Sequence, residues 1–121
     1  MRPLLIIILL VSTVSCGTAK VEAPRGSGNK AHDALLSLSE REQSRALGQV
    51  VGEGCLGERA FYMGMESKER TAFWSVACAN GESYMVGIYA DEQGSTKSMP
   101  CSLVRTLGLT PCFQRFKNDS D

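Results

Sequence analysis

Apolar residues are arranged along this chain in three ways, and the first is a continuous run near the start. Residues 4–14 read LLIIILLVSTV, with Arg2 before them and small residues around Cys16 after them. A basic start, about a dozen apolar residues and then small residues are typical of an export signal. The run is shorter than the ~20 apolar residues that cross a bilayer. The pattern therefore predicts a signal peptide over residues 1–15.

The second arrangement is a helical period that follows a polar segment. Residues 16–30 are rich in Gly, Pro, Ser and charge, which predicts a flexible linker. Ser39 and Glu42 then form a capping-box pattern. Apolar residues recur after it at helical spacing, at Ala46, Leu47, Val50 and Val51. We predict a helix from about Glu40 to Val51, ended by the glycines that follow.

The third arrangement is the two-residue alternation of strands. Strands are predicted over residues 59–65, 71–78 and 83–90, with a short edge strand over 95–99. Asn80-Gly81 is the strongest short hairpin signal, because both central positions of a type I′ turn need positive φ. Such a two-residue turn would place Trp74 opposite Gly87.

In that register both faces of the hairpin are apolar. Trp74, Met85 and Tyr89 would share one face, and Phe73, Tyr84 and Val86 the other. An antiparallel sheet with one wet face alternates more cleanly. Either both faces are covered, or one face presents an apolar surface to a partner. The residues proposed for such a binding face are Tyr62, Trp74, Met85 and Tyr89.

The predicted fold class is α+β. An N-terminal helix packs on a three- to four-stranded antiparallel sheet, and Leu103, Val104 and Leu107 predict a short C-terminal helix closed by a glycine. The folded domain is expected over residues 31–116, with a disordered tail over 117–121.

Cysteines support export. The chain has five, and if Cys16 is lipidated or removed, four remain, which allows two disulfides in an oxidising compartment. Proximity favours the pairs Cys55–Cys78 and Cys101–Cys112. The alternative is Cys78–Cys101 with Cys55–Cys112.

Residues 13–17, Thr-Val-Ser-Cys-Gly, resemble the lipobox of bacterial lipoproteins, although Thr13 stands where that pattern usually has leucine. The resemblance implies that Cys16 carries a lipid and becomes the first residue of the mature protein. Gly17, by resemblance to enteric lipoproteins, implies an outer-membrane location facing the periplasm. The alternative is ordinary cleavage after Ala19, which would leave a soluble periplasmic or secreted protein.

Charge and motif patterns favour few chemistries. The chain has 13 basic and 13 acidic residues, interspersed, so nucleic acid is not expected as a partner. The cysteine spacing does not suit zinc, and no cofactor motif is present. His32, the only histidine, is expected on an exposed turn, and the acidic pairs Glu40/Glu42 and Glu66/Glu69 on solvated segments.

The resulting hypothesis is a small non-catalytic envelope lipoprotein. It would be held at the membrane by its lipid and would bind an envelope protein or cell-wall partner through one face of its sheet. The alternative is a periplasmic or secreted enzyme, or an enzyme inhibitor with Glu66–Arg70 or Asp91–Gly94 as its protruding loop.

Overall fold

A computed structural model describes residues 26–117, which fold as an α+β domain. The elements within these residues are α1 (Lys30–Leu36), α2 (Glu40–Val51), β1 (Gly57–Glu66), β2 (Thr71–Cys78), β3 (Ser83–Ile88), β4 (Thr96–Pro100) and α3 (Cys101–Thr106). The strands form one antiparallel sheet in the order β1-β2-β3-β4. The predicted class is confirmed, with four strands. The predicted signal peptide, Cys16 and residues 118–121 lie outside the described part of the chain.

Helix α2 has the bounds that its sequence pattern predicts. The Ser39 hydroxyl accepts a hydrogen bond from the Glu42 N–H at 3.2 Å, and the Glu42 carboxylate accepts one from the Ser39 N–H at 3.1 Å. This reciprocal pair satisfies two donors that the helix start would otherwise leave without partners. The helix ends at Val51, and Gly52 leaves it at φ 68°, a conformation that favours glycine.

The folded part begins before residue 31, the boundary that composition suggested. Asn29 is fully buried, and its side-chain oxygen caps α1 by accepting from the His32 N–H at 3.0 Å. Its side-chain amide donates to the carbonyl oxygens of Arg70 and Ile88, both at 2.8 Å. One side chain therefore joins the start of α1 to the ends of β2 and β3.

The β2–β3 hairpin differs from its prediction by one residue. Ala77 pairs with Ser83, Trp74 with Val86 and Phe73 with Gly87. The loop holds three residues, because the Cys78 N–H donates to the Glu82 carbonyl at 2.7 Å, beyond Gly81. Gly81 has φ 91°, whereas φ of Asn80 is not positive. The prediction of a type I′ turn is wrong, since that turn needs positive φ at both positions.

This single residue changes which side chains share a face, because side chains alternate along a strand. The helix face, defined by Ala72, Trp74, Val76, Val86 and Ile88, packs against Leu35, Leu47 and Val51 of α1 and α2. The C-terminal face, defined by Phe61, Met63, Phe73 and Met85, packs against Val104 of α3 and against Cys112 and Phe116. Both faces therefore carry a buried cluster.

Two disulfides and one close backbone contact hold these layers together. Cys55 is bonded to Cys78 and Cys101 to Cys112, which confirms the favoured pairing. A side chain at Gly57 would place its Cβ 1.7 Å from the Ser44 carbonyl oxygen. Helix α2 thus lies directly on the first residue of β1, which the Cys55–Cys78 bridge ties to the end of β2.

Candidate binding surface

The C-terminal face is covered by a segment that has little regular structure. After α3, residues 107–117 cross the sheet, with Leu107 and Leu109 exposed and Phe116 turned inward. The Phe113 N–H donates to the Ser75 hydroxyl at 2.9 Å, and the Phe116 N–H donates to the Met63 carbonyl at 3.0 Å. We call α3 together with residues 107–117 the C-terminal layer.

The acceptor at Met63 is available because β1 is irregular there. Tyr62 pairs with Trp74 and Gly64 pairs with Phe73, so Met63 is the extra residue of a β-bulge. A bulge leaves backbone groups outside the ladder, and here one of them accepts a bond from the C-terminal layer. The Cys101–Cys112 disulfide closes the same layer on itself. The layer is held by a covalent bridge and by two hydrogen bonds to the sheet.

An apolar cleft remains between the C-terminal layer and the sheet. It has a volume of about 170 Å³, and its lining is almost entirely apolar. The lining residues are Phe73, Met85, Leu109, Thr110 and Phe116. Phe73 also lies against Gly87, where a Cβ would be 3.2 Å from its ring. The absence of a side chain at Gly87 therefore leaves the Phe73 ring room beside the cleft.

Exposed leucines adjoin this cleft. Leu109 lines it and is 46% exposed, and Leu107, two residues earlier, is 56% exposed. On α3, Val104 is fully buried whereas Leu103 is 43% exposed. Isolated exposed leucines are ordinary, but three of them in one short layer, one of which lines an apolar cleft, are typical of an interaction surface.

The structure separates the four residues proposed for a binding face. Tyr62 and Trp74 lie on the helix side, where Trp74 is 2% exposed and their rings are 5.3 Å apart. Met85 lies on the C-terminal face and lines the cleft. Tyr89 follows β3 with its N–H bonded to the Ser95 carbonyl, and alternation along the strand puts it on the same face as Met85. Tyr62 and Trp74 thus share the helix face, whereas Met85 and Tyr89 share the C-terminal face.

His32 is part of the core, so the expectation of an exposed histidine is wrong. Its ring is 1% exposed, and its Nδ1 accepts a hydrogen bond from the Trp74 indole N–H at 2.9 Å. The Tyr62 ring lies 4.6 Å away. Burial lowers the pKa of His32, and the neighbouring Asp33 carboxylate opposes part of that shift. The neutral imidazole accepts a hydrogen bond from the indole N–H and thereby joins α1 to the sheet inside the core.

One carboxylate of each acidic pair considered at the sequence level has a structural role. The backbone N–H of Ser39 lowers the pKa of Glu42, which completes the capping box of α2. The backbone N–H groups of Glu69 and Lys68 lower the pKa of Glu66 in the β1–β2 turn. A general acid would need the opposite shift. Within residues 26–117, no group of three or more His, Cys, Asp or Glu side chains is arranged to hold a metal ion.

Two further recesses are open and mixed in polarity. One, of about 410 Å³, lies beside the Cys101–Cys112 bridge, between Glu82 and Arg105. The other, of about 450 Å³, lies between α2 and the start of β1 and includes Arg41 and Arg45. Neither recess holds a buried polar group without a partner, because no such atom occurs in residues 26–117. The apolar cleft is the feature whose chemistry points most directly to a binding role.

Sequence reasoning missed Phe73, Leu109 and Phe116 as members of this surface. A signal was present in the short C-terminal helix. Leu103 and Val104 lie on a helix of six residues and Leu107 directly follows it, and the inward position of Val104 accounts for only one of the three. The surplus apolar residues could have indicated an outward-facing surface.

Comparison with known proteins leaves the chain without an assigned relative. No protein family, no curated protein and no solved structure matches it. No helix within residues 26–117 is long and apolar enough to cross a membrane. The two disulfides indicate a protein that matures outside the cytoplasm.

Proposed function

We propose that this chain is a small non-catalytic accessory module of a bacterial cell envelope, which binds a partner protein through its C-terminal face. The observation that carries the proposal is the apolar cleft lined by Phe73, Met85, Leu109 and Phe116. Interfaces place apolar anchors in such recesses, where water is excluded around them. The site uses two of the four residues proposed from sequence, Met85 directly and Tyr89 on the same face.

The cleft is too small for a typical small-molecule ligand. Such sites usually measure about 300–1,000 Å³, whereas this cleft measures about 170 Å³. That volume suits one bulky side chain of a partner. The cleft also lies on a layer held by a disulfide, so little ordering would be needed for binding.

Anchoring at the membrane completes the proposal. Cys16, in its lipobox-like context, would carry the lipid and hold the domain at the outer membrane, facing the periplasm. The intact mass of the protein purified from the cells that make it tests this. A chain that starts at Cys16, carries acyl groups and has lost four thiol hydrogens is expected. An unmodified chain that starts at Lys20 would instead support ordinary cleavage.

Site-specific photo-crosslinking in those cells tests the binding surface. A photoreactive residue replaces Leu109, which is 46% exposed at the cleft, and in a matched strain replaces Val50, which is 41% exposed on α2. We expect a discrete adduct from position 109 and none from position 50. The same yield of the same adduct from both positions, or no adduct from position 109, would refute a partner site at the cleft.

A further inference from the structure

Charge is divided unevenly between the two parts of the described domain. Residues 26–92 contain ten acidic and six basic residues. Residues 93–117 contain no acidic residue and four basic ones, and all four are exposed. They are Lys97, Arg105, Arg115 and Lys117. This acid-free, basic segment contains β4 and the C-terminal layer, which packs on the C-terminal face.

Two of these cations are close to the apolar cleft in strand register or along the chain. Gly87 pairs with Lys97 on one side and with Phe73 on the other. Residues paired across neighbouring strands direct their side chains to the same face, so the Lys97 side chain shares the C-terminal face with the Phe73 ring. Lys117 directly follows Phe116, which lines the cleft. Arg105 lies in the last turn of α3. The guanidinium carbon of Arg115 lies 5.2 Å from the centroid of the Tyr62 ring.

Two acidic residues at the same end of the sheet, Glu66 and Asp91, accept hydrogen bonds within their own turns. The Glu66 carboxylate accepts from the backbone N–H groups of Lys68 and Glu69, at 2.6 and 2.7 Å. The Asp91 carboxylate accepts from the Ser95 N–H at 2.8 Å. Lys97 and Lys117 are the cations that residues 93–117 contribute nearest to the cleft in register and in chain position.

We infer that the occupant of the cleft is an acidic peptide segment that inserts one bulky apolar side chain between Phe73, Met85, Leu109 and Phe116. This inference rests on the proposed function and specifies the chemistry of its partner. Complementary charge fixes the orientation of a partner and raises its association rate. The concave shape favours a peptide over a bilayer surface, because a cleft of about 170 Å³ accepts one side chain, whereas a bilayer meets a convex apolar surface.

Selection from a random peptide library tests the inference. A displayed library of random 12-residue peptides is selected against the whole mature protein at 150 mM salt. We expect enrichment of peptides with several Asp or Glu around a single Phe, Leu, Ile or Trp. The affinity of the best peptide should fall at least about fivefold for Lys97→Glu and tenfold for Leu109→Asp. Higher salt should also weaken its binding, since the interaction is screened.

Matched variants separate the cleft from the rest of the surface. Lys30→Glu reverses an exposed charge on α1 and should leave peptide binding unchanged. Leu107→Asp is a second test of the apolar surface if Leu109→Asp lowers the melting temperature. Selected peptides without an acidic excess, or peptides that bind Lys97→Glu and Leu109→Asp as well as the original chain, would overturn the inference.

A vesicle arm tests the membrane as the occupant. The domain without its lipid is mixed with vesicles of phosphatidylcholine alone and with 30% phosphatidylglycerol. Binding to the anionic vesicles that Leu109→Asp abolishes, without an acidic peptide motif, would assign the surface to lipid. A crosslink at position 109 with no acidic peptide motif would overturn the inference on partner chemistry while keeping the proposed function.

Discussion

The stability of the domain should depend on pH through His32. Its Nδ1 accepts the Trp74 indole N–H at 2.9 Å inside the core. Protonation would turn that acceptor into a second donor, so the hydrogen bond would be lost and a charge would be buried. Burial accordingly lowers the pKa of His32 from 6.5 in the folded state. In the unfolded chain the imidazole takes up a proton at its ordinary pKa.

The sign of the effect follows from this difference in pKa. As the pH falls below about 6.5, the unfolded state binds the proton first, so the free energy of unfolding decreases. The loss continues until the pH reaches the lowered pKa of the folded state and then levels off. One site contributes at most about 1.4 kcal/mol per pH unit. The upper limit on the loss between pH 7 and pH 5, for an imidazole that stays neutral in the fold over that whole range, is about 1.9 kcal/mol.

Urea denaturation at pH 7, 6 and 5 measures this loss. The window stops at pH 5 because the pKa values of Glu42 and Glu66 are lowered below 4.5, so these carboxylates stay ionised above it. His32→Asn is the control, since an amide oxygen can accept the indole N–H and does not titrate. We expect a lower but flat stability for this variant between pH 5 and pH 7. The same pH slope in both proteins would refute a buried, neutral His32.

Three further perturbations test other contacts. Gly57→Ala should cost about 3 kcal/mol or more in urea denaturation, because its Cβ would lie 1.7 Å from the Ser44 carbonyl oxygen; a loss below about 1 kcal/mol would contradict the close approach of α2 and β1. Asn29→Ala should cost about 3 kcal/mol, because it leaves the buried Ile88 carbonyl and the partly buried Arg70 carbonyl without their donor and removes the cap of α1; an unchanged melting temperature would argue against that junction. Replacing both cysteines of a disulfide by serine should lower the free energy of unfolding, because the unfolded chain regains freedom. The expected loss is about 3.4 kcal/mol for Cys55–Cys78, with a sequence separation of 23, and about 2.8 kcal/mol for Cys101–Cys112, with a separation of 11. Thermal melts that strong reductant leaves unchanged would refute both estimates.

Local patterns predicted α2, the strands and a short C-terminal helix, but not the separate helix α1. The Ser39–Glu42 capping box and the apolar spacing after it predicted α2 at its observed bounds. The strand β2 also has its predicted bounds, and proximity along the chain predicted both disulfides. These features depend on residues within a few positions of one another, or on loop lengths that the sequence states directly.

The candidate site was less predictable because it depends on register. Asn80-Gly81 marks a hairpin, but the residues that flank it do not state whether the loop holds two residues or three. The Cys78–Glu82 hydrogen bond selects three, and β3 then turns Met85 and Tyr89 away from Trp74. One residue of loop length thus decides which half of the proposed binding face is buried under the helices.

His32 shows the same limit from another direction. In the sequence it stands beside a polar, glycine-rich segment, which is typical of an exposed position. In the fold, the bonds of Asn29 to β2 and β3 hold the start of α1 against the sheet and place the imidazole beside Trp74. No local pattern encodes a contact between residues 42 positions apart.

The amino-acid sequence by itself determined the class of the domain, its helices and strands and its pairs of cysteines, because propensity, periodicity and chain proximity act over short distances. Only the tertiary structure decided which side chains share a face, where His32 is buried and how the C-terminal layer forms an apolar cleft on the sheet. Those outcomes depend on strand register and on packing between distant segments, where a shift of one residue exchanges the inside for the outside.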